Sequence, residues 1–247
     1  MSHKIAFTKE NLDFYLLNLS KEYKKLGGRK MPAEIILIGG ASILINYGFR
    51  ESTYDMDAII HASSSMKEAI NHIADRYELP SDWLNADFRQ TDSYSSKLVQ
   101  VSKYYRTFSN VLSVRTVASE YLVAMKLRSA RRYKNDISDI LGIIIEEKKH
   151  GNILTEKEIE TAVIELYGSI DILEDYAKLL LHQIFKTPNL ETLYEEVRQE
   201  EIRNRSTLID FEKKYPKVLT KDNLNKILED SLKKGNSATK TDKSSVI

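Results

Sequence analysis

Apolar positions recur along this chain in two rhythms. Leu12, Leu16, Leu19, Tyr23 and Leu26 stand four or three residues apart, so the spacing predicts one helix over 8–26. Thr8 suits its N-cap, and Gly27-Gly28 its end. The run 34–38 is short and β-branched, which predicts a buried strand broken by Gly39-Gly40. A short helix is expected over 41–47, a second strand over 55–60, and a helix over 67–77 with Ile70, Ile73 and Ala74 inward. Residues 81–96 carry little periodicity and read as loops, while 97–101 and 111–114 are candidate strands. From there the rhythm is helical throughout. Helices are expected over 119–132, from Asn135 or Asp136 to 149, after the capping box Thr155–Glu158, over 171–185, over 190–215 and from Thr220 to about 234.

The pattern predicts an α+β fold: a small mixed sheet with flanking helices, then an all-helical part. The expected organisation is a mixed domain at 1–150, a helical domain at 151–234 and a disordered Ser/Thr/Lys-rich tail at 235–247. With 247 residues the chain buries roughly 70–75% of its unfolded surface. Apolar residues at 42% and charged residues at 30% exclude a disordered or collagen-like chain. There is no cysteine, hence no disulfide framework and no thiolate metal site. The most apolar stretch, 35–45, is too short to span a bilayer, and no secretory signal is visible at the start. A cytoplasmic, soluble protein with no membrane partner is expected.

Net charge is +1, yet its distribution is uneven. Residues 50–92 hold nine acids and four bases, whereas 97–134 hold nine bases and the single acid Glu120. Carboxylates hold cations and Lys/Arg hold phosphates, so the order fits a site for a metal with a polyanion; two solvated faces would look the same.

The chemistry concentrates in Ile38-Gly39-Gly40-Ala41-Ser42 and, twelve residues on, Asp55-Met56-Asp57. On a strand, residues i and i+2 share a face, so Asp55 and Asp57 project together while Met56 points into a core. Two adjacent carboxylates repel, and hard oxygen ligands suit Mg²⁺. A strand that ends in Gly-Gly and enters a helix lets backbone amides approach a phosphate, with the helix dipole adding positive potential and Ser42 a hydroxyl. A Walker loop is excluded because no Gly-Lys-Ser/Thr follows, and a dinucleotide fingerprint lacks its third glycine. Asp136 and Asp139 stand at i, i+3 on one helix face, where capping explains the first better than the second. Lys126, between Met125 and Leu127, reads equally as a snorkelling surface lysine. The five histidines are scattered and none forms a metal pair.

These residues resemble the DNA polymerase β-like nucleotidyltransferase superfamily, whose signature is a Gly-Gly/Ser turn followed by an acid-x-acid strand. More narrowly, Arg50, Ser52-Thr53, Trp83-Leu84-Asn85, the run 120–127, Arg131 and the run 136–140 resemble AbiEii-type abortive-infection toxins and related uncharacterised minimal nucleotidyltransferases. The resemblance covers roughly 12–145 and implies a set of roles. Gly39, Gly40, Ser42, Thr53 and Arg131 would bind the nucleotide. Asp55 and Asp57 would hold Mg²⁺ or Mn²⁺. Lys126 would contact phosphate, and Asp136 or Asp139 would complete the acidic cluster, since the strands expected at 97–101 and 111–114 carry no acid. It further implies transfer of a nucleoside monophosphate from an NTP to a hydroxyl of RNA (such as tRNA), a protein or a small molecule, in a toxin paired with an antitoxin protein. The alternative is a catalytically degenerate fold that binds nucleotide, RNA or protein.

Overall fold

A computed structural model describes residues 5–220, together with 223, 224, 226–228 and 230. The helix expected from Thr220 falls largely outside the described residues, and the tail at 235–247 wholly so.

The chain opens with α1 (Lys9–Tyr23). Thr8 caps it in a box with Asn11, and a π-helical turn at Lys24–Gly28 follows. β1 (Ala33–Leu37) leads through Ile38 into α2 (Gly39–Asn46), so the glycine pair lies inside the first turn of the helix. β2 (Met56–His61) and α3 (Ser65–Tyr77) come next. The stretch 81–96, expected to be loop, holds a two-residue strand, β3 (Leu84–Asn85), and a 3₁₀ turn at Asp87–Gln90. The strand expected at 97–101 is instead a 3₁₀ turn at Ser96–Val99, and the strand follows as β4 (Ser102–Phe108). β4 buries only its two end residues, and Tyr104 and Arg106 flank a bulge, so no clean alternation marks it in the sequence. β5 (Leu112–Val117) completes a five-stranded sheet in the order β3-β2-β1-β5-β4. β1 runs antiparallel to β2 and parallel to β5; β2 runs parallel to β3, and β4 antiparallel to β5. Together with its flanking helices and helical C-terminal region, this is the mixed architecture the periodicity predicts.

Alternation along β1 sorts its side chains between two cores. Ile35 and Leu37 pack with Leu16 and Leu19 of α1 and with Ile73 of α3. Ile36 and Ile38 join an apolar cluster on the other face. That cluster takes in α4 (Ser119–Ser129), α5 (Asp136–Lys149), α6 (Glu156–Tyr167) and α7 (Asp175–Lys186). Ile159, Val163 and Leu181 therefore share one core with the sheet across the turn at 149–151. No helix among the described residues is long and apolar enough to cross a membrane.

The long helix α8 (Leu190–Lys214) docks on α5 through a buried carboxylate. Glu201 accepts the backbone amides of Ile137 (2.9 Å) and Ser138 (3.3 Å) and the Ser138 hydroxyl (2.5 Å). It thus caps the start of α5 from another helix, while Asn135 makes no side-chain cap bond. Burial, with Asp139 nearby, pushes Glu201 up to about 7 against these three donors. A carboxyl raised in the folded state stabilises it fully below the unfolded pKa, and the contribution is lost as pH rises through the folded value. Unfolding free energy is therefore expected to fall by roughly 3 kcal/mol between pH 4.5 and 8 from this group. Urea melts of Glu201→Gln should show that slope flattened, with the variant more stable than the parent at pH 8.

Candidate active site

Two hydrogen bonds bring the motifs together. The Ile38 amide donates to the Asp57 carbonyl at 2.9 Å, fastening the end of β1 beside β2 at the point where the chain turns into α2. The Met56 amide donates to the Trp83 carbonyl at 2.9 Å, which seats β3 on the other side of β2. The first amides of α2 have no acceptor within the helix. Gly39 has a φ of +54°, a conformation that disfavours any side chain, and the space where a Cβ would lie is open. Gly40 is a glycine for the opposite reason. A Cβ there would come within 2.8 Å of Arg50 Nη2 and of Thr53 Oγ1.

Asp55 precedes β2 and is exposed; Asp57 is the strand's second residue and is half-buried. Burial, then the charge of Asp55, pushes the Asp57 carboxyl above the usual value, and Asp87 adds to the shift. Lys134 and Arg131 act in the opposite direction. Asp57 is thus an acid that gains from a cation beside it. Thr53 is buried, and its hydroxyl donates to the Asp55 carbonyl (3.2 Å) and carboxylate (3.4 Å). It abuts Gly40 and orients Asp55.

The other expected residues form a second layer. Lys126 Nζ lies 2.9 Å from Asp136 Oδ1 and 2.8 Å from Asp139 Oδ2. Arg50 Nη1 meets both oxygens of Asp139, at 2.9 and 2.6 Å. Arg131 contacts Asp136 through Nε at 2.7 Å, Nη2 at 3.2 Å and its backbone amide at 3.2 Å. Burial works to raise Asp136, but Lys126 and Arg131 outweigh it and hold the carboxyl well below the usual range. Burial likewise works to lower Lys126, and the two aspartates outweigh it. Asp136 and Asp139 are therefore saturated with cationic donors, and the ammonium of Lys126 lies between carboxylates. Among the described residues no group of three or more His, Asp or Glu is placed to hold a metal. The expected completion of the acidic cluster by Asp136 or Asp139 is not seen, because each already neutralises two cations in the interior. Ser42 also departs from expectation. It faces the sheet, fully buried, and its hydroxyl accepts the Val117 amide at 3.1 Å, tying α2 to β5.

Two residues of the site escaped sequence reasoning. Lys134, on the loop between α4 and α5, works to lower the Asp57 carboxyl and is itself acted on by Asp55; burial, then Arg131, keeps its ammonium below the ordinary lysine value. Asp87 is exposed just beyond β3, whose Asn85 is the register partner of Asp57. The mere presence of bases and acids in those stretches was visible, but not their convergence.

The model of a family described as a nucleotidyltransferase of unknown function (DUF6036) matches residues 15–163. The chain belongs to that family. The match spans β1, the glycine turn, Asp55 and Asp57, both buried aspartates and α6 up to Val163. A crystal structure of an antigenic nucleotidyltransferase-like protein from Paracoccidioides brasiliensis is similar with a TM-score of 0.38 at 14% identity, over 72% of this chain and 95% of that one. No curated protein matches. The DUF6036 match bears out the superfamily read from the Gly-Gly and Asp-x-Asp motifs.

Asp136→Asn should cost about 3–5 kcal/mol in a urea melt at pH 7, since it leaves buried cations undercompensated. The stabilisation by Asp136 is present above the unfolded carboxyl pKa and lost as pH falls towards the depressed folded value, so the gap between parent and variant should close in acid. Asp57→Asn should do the reverse: the metal-free variant melts higher than the parent at pH 7, with the difference vanishing as the parent's Asp57 takes up its proton.

Proposed function

We propose that the protein is a Mg²⁺- or Mn²⁺-dependent nucleotidyltransferase that moves a nucleoside monophosphate from an NTP to a hydroxyl acceptor. The observation that carries this reading is the Ile38–Asp57 hydrogen bond, which sets the free amides of α2 and the open side of Gly39 against the Asp55/Asp57 pair. Mg²⁺ is commonly held by one or two carboxylates plus substrate phosphates rather than by an all-protein cage, so two aspartates without a third fixed ligand fit it. A bound metal would neutralise triphosphate oxygens and lower the pKa of the attacking hydroxyl.

The chain's own residues supply positioning and charge. The Gly39 and Gly40 amides cradle phosphate oxygens at the helix N-terminus. Lys134 and Arg131, on the loop beside the aspartates, offset charge that develops on the departing pyrophosphate. The acceptor oxygen forms a bond to the α-phosphorus, the bond to the β-phosphate oxygen breaks, and the acceptor proton passes to a carboxylate of the cluster. Asp87 is an additional acid there, and among the described residues it takes part in no ion pair. Lys126, Asp136 and Asp139 act as positioning residues, through Arg50 and Arg131. The AbiEii-like features support a role as the toxin of a toxin–antitoxin or phage-defence pair, with an antitoxin protein as partner and RNA such as tRNA, or a protein, as acceptor.

A second reading has one observation in its favour. The absence of a three-ligand cluster among the described residues also fits a degenerate fold that binds nucleotide without transfer.

Incubation of the full chain with each α-labelled NTP, Mg²⁺ and total tRNA or lysate separates the two readings. Label should appear on a macromolecule with the parent, and Asp55→Ala and Asp57→Asn should each lower the rate at least about 100-fold. Asp87→Asn should lower it less than either. Calorimetric nucleotide binding without any labelled product would establish the binding module instead.

A further inference from the structure

The segment of bases from 97 to 134 stands out in the sequence, but most of its cations are engaged in the folded chain. Arg106 pairs with Asp13, Arg115 with Glu34, Lys126 and Arg131 with Asp136, and Arg132 with Glu200. A second concentration of positive charge lies elsewhere. A groove of about 740 Å³ opens between the last turns of α1, the turn at Lys24–Gly28, the end of α3 and Ser109 of the β4–β5 turn. Lys21, Lys24, Lys25, Arg29 and Arg76 line it.

Its charge is poorly balanced. Glu22 is the acid in ion-pair contact with the lining, and its carboxylate, 9% exposed, is shared among Lys25 (3.2 Å), Arg76 (3.1 Å) and His72 (3.2 Å). Lys24 Nζ donates to the Ser109 carbonyl at 3.0 Å. Lys21 and Arg29 are exposed and, among the described residues, form no ion pair. One or two cations would suffice to offset the carbonyl ends of two helices. Five around one concavity repel one another and gather counter-ions, which a polyanion would release.

An aromatic platform continues the same wall. Phe14, Asn18 and Lys21 follow one stripe of α1 at helical spacing, and Lys25 stands in the π-helical turn that follows, so Phe14 lies one turn before Asn18, which also lines the groove. Phe14 is 47% exposed, although it is a large apolar ring. Its edge contacts with Tyr15 (5.4 Å) and Tyr77 (5.2 Å) fix its plane, and Tyr15 in turn packs on Trp83 (6.2 Å). A held aromatic ring beside a basic trough is the combination that binds single strands: cations track the backbone and the ring stacks a base that a duplex would keep hidden.

We propose that this groove binds single-stranded nucleic acid, with phosphates on Lys21, Lys25, Arg29 and Arg76 and an unpaired base on Phe14. It opens at the entry end of β1, whereas the glycine turn lies at the exit end, five strand residues or roughly 16 Å away. The groove is therefore a separate site, and binding there requires no nucleotidyl transfer.

Fluorescence anisotropy of the full chain with a labelled single strand of about 12 nucleotides, as RNA and as DNA, tests it. With the parent, affinity for at least one strand should fall steeply as salt rises from about 50 to about 200 mM. The triple variant Lys21→Ala/Lys25→Ala/Arg29→Ala should bind at least tenfold more weakly and lower the log–log salt slope by about 2. Phe14→Ala should weaken binding about tenfold with the slope unchanged. Asp57→Asn should bind as the parent does, so that a failed transfer assay leaves this result standing. Melting curves of each variant check folding; Phe14, Lys21, Lys25, Arg29, Lys97 and Lys103 are exposed, and Asp57 is half-buried. The proposal is overturned if neither strand binds, or if the same-sequence duplex or anionic phosphatidylserine vesicles bind as tightly. A larger effect of Lys97→Ala/Lys103→Ala than of the triple variant would also overturn it.

Discussion

Two buried carboxylates, Asp136 and Asp139, hold the charge balance on which the arrangement of the site depends. Between them they pair with Arg50, Lys126 and Arg131, which arrive from the approach to β2, from α4 and from the loop before α5. A buried ion without a partner costs several kcal/mol, so none of these groups can move alone. Arg50, fixed in this way, closes the space beside Gly40 and leaves no room there for a side chain. Arg131, fixed in this way, carries the loop that bears Lys134 up to Asp55 and Asp57. Three cations meet these two carboxylates, so the cluster carries a net positive charge beside the Asp55/Asp57 pair. The field at the site is thus set by groups that need touch neither nucleotide nor metal.

Glu201 extends the same logic outward. The first turn of α5 carries both aspartates, and its amides are satisfied by a carboxylate from α8. The helical C-terminal region is thereby wired to the charge centre as well as packed on the sheet. Asn204 and Arg205, one turn along α8, reinforce the link: they donate to the Arg132 carbonyl at 2.8 Å and to Asn135 Oδ1 at 2.6 Å, on the loop between α4 and α5. The far helix therefore steadies the loop that presents Arg131 and Lys134.

Much of this was legible in the sequence, and what was not has a physical reason. Helices with a clear apolar stripe or a capping box, such as α1, α6 and α8, lie close to where the periodicity puts them. The Gly-Gly and Asp-x-Asp motifs mark β1, α2 and β2 because strand spacing and helix entry follow from local geometry. β4 was misplaced because an edge strand that buries only Ser102 and Phe108 has no alternation to read. Asp136, Asp139 and Lys126 stand out in the sequence by their type and spacing, but a sequence displays a residue's type and not its partner. An acid in a helix's first turn reads the same whether it meets a metal, an amide or a buried lysine. Ser42 shows the same ambiguity: in the first turns of α2 its hydroxyl had a phosphate or the sheet to choose from, and only the packing of α2 against β5 decides.

The parallel pairing of β1 with β5 also fixes the order in which the site can come into being. Ala33 pairs with Leu112, so the central pair of the sheet closes only after the acidic half of the chain, glycine turn and Asp55/Asp57 included, has already been made. Contacts this distant in sequence form late, because the loop between them must first be ordered. Lys126, Arg131, Lys134 and the two buried aspartates come later still, beyond β5. A chain emerging from the ribosome thus carries its acid pair unbalanced until α4 and α5 arrive. The charged groups that surround the glycine turn and the acid pair are thus complete only once α5 has been made.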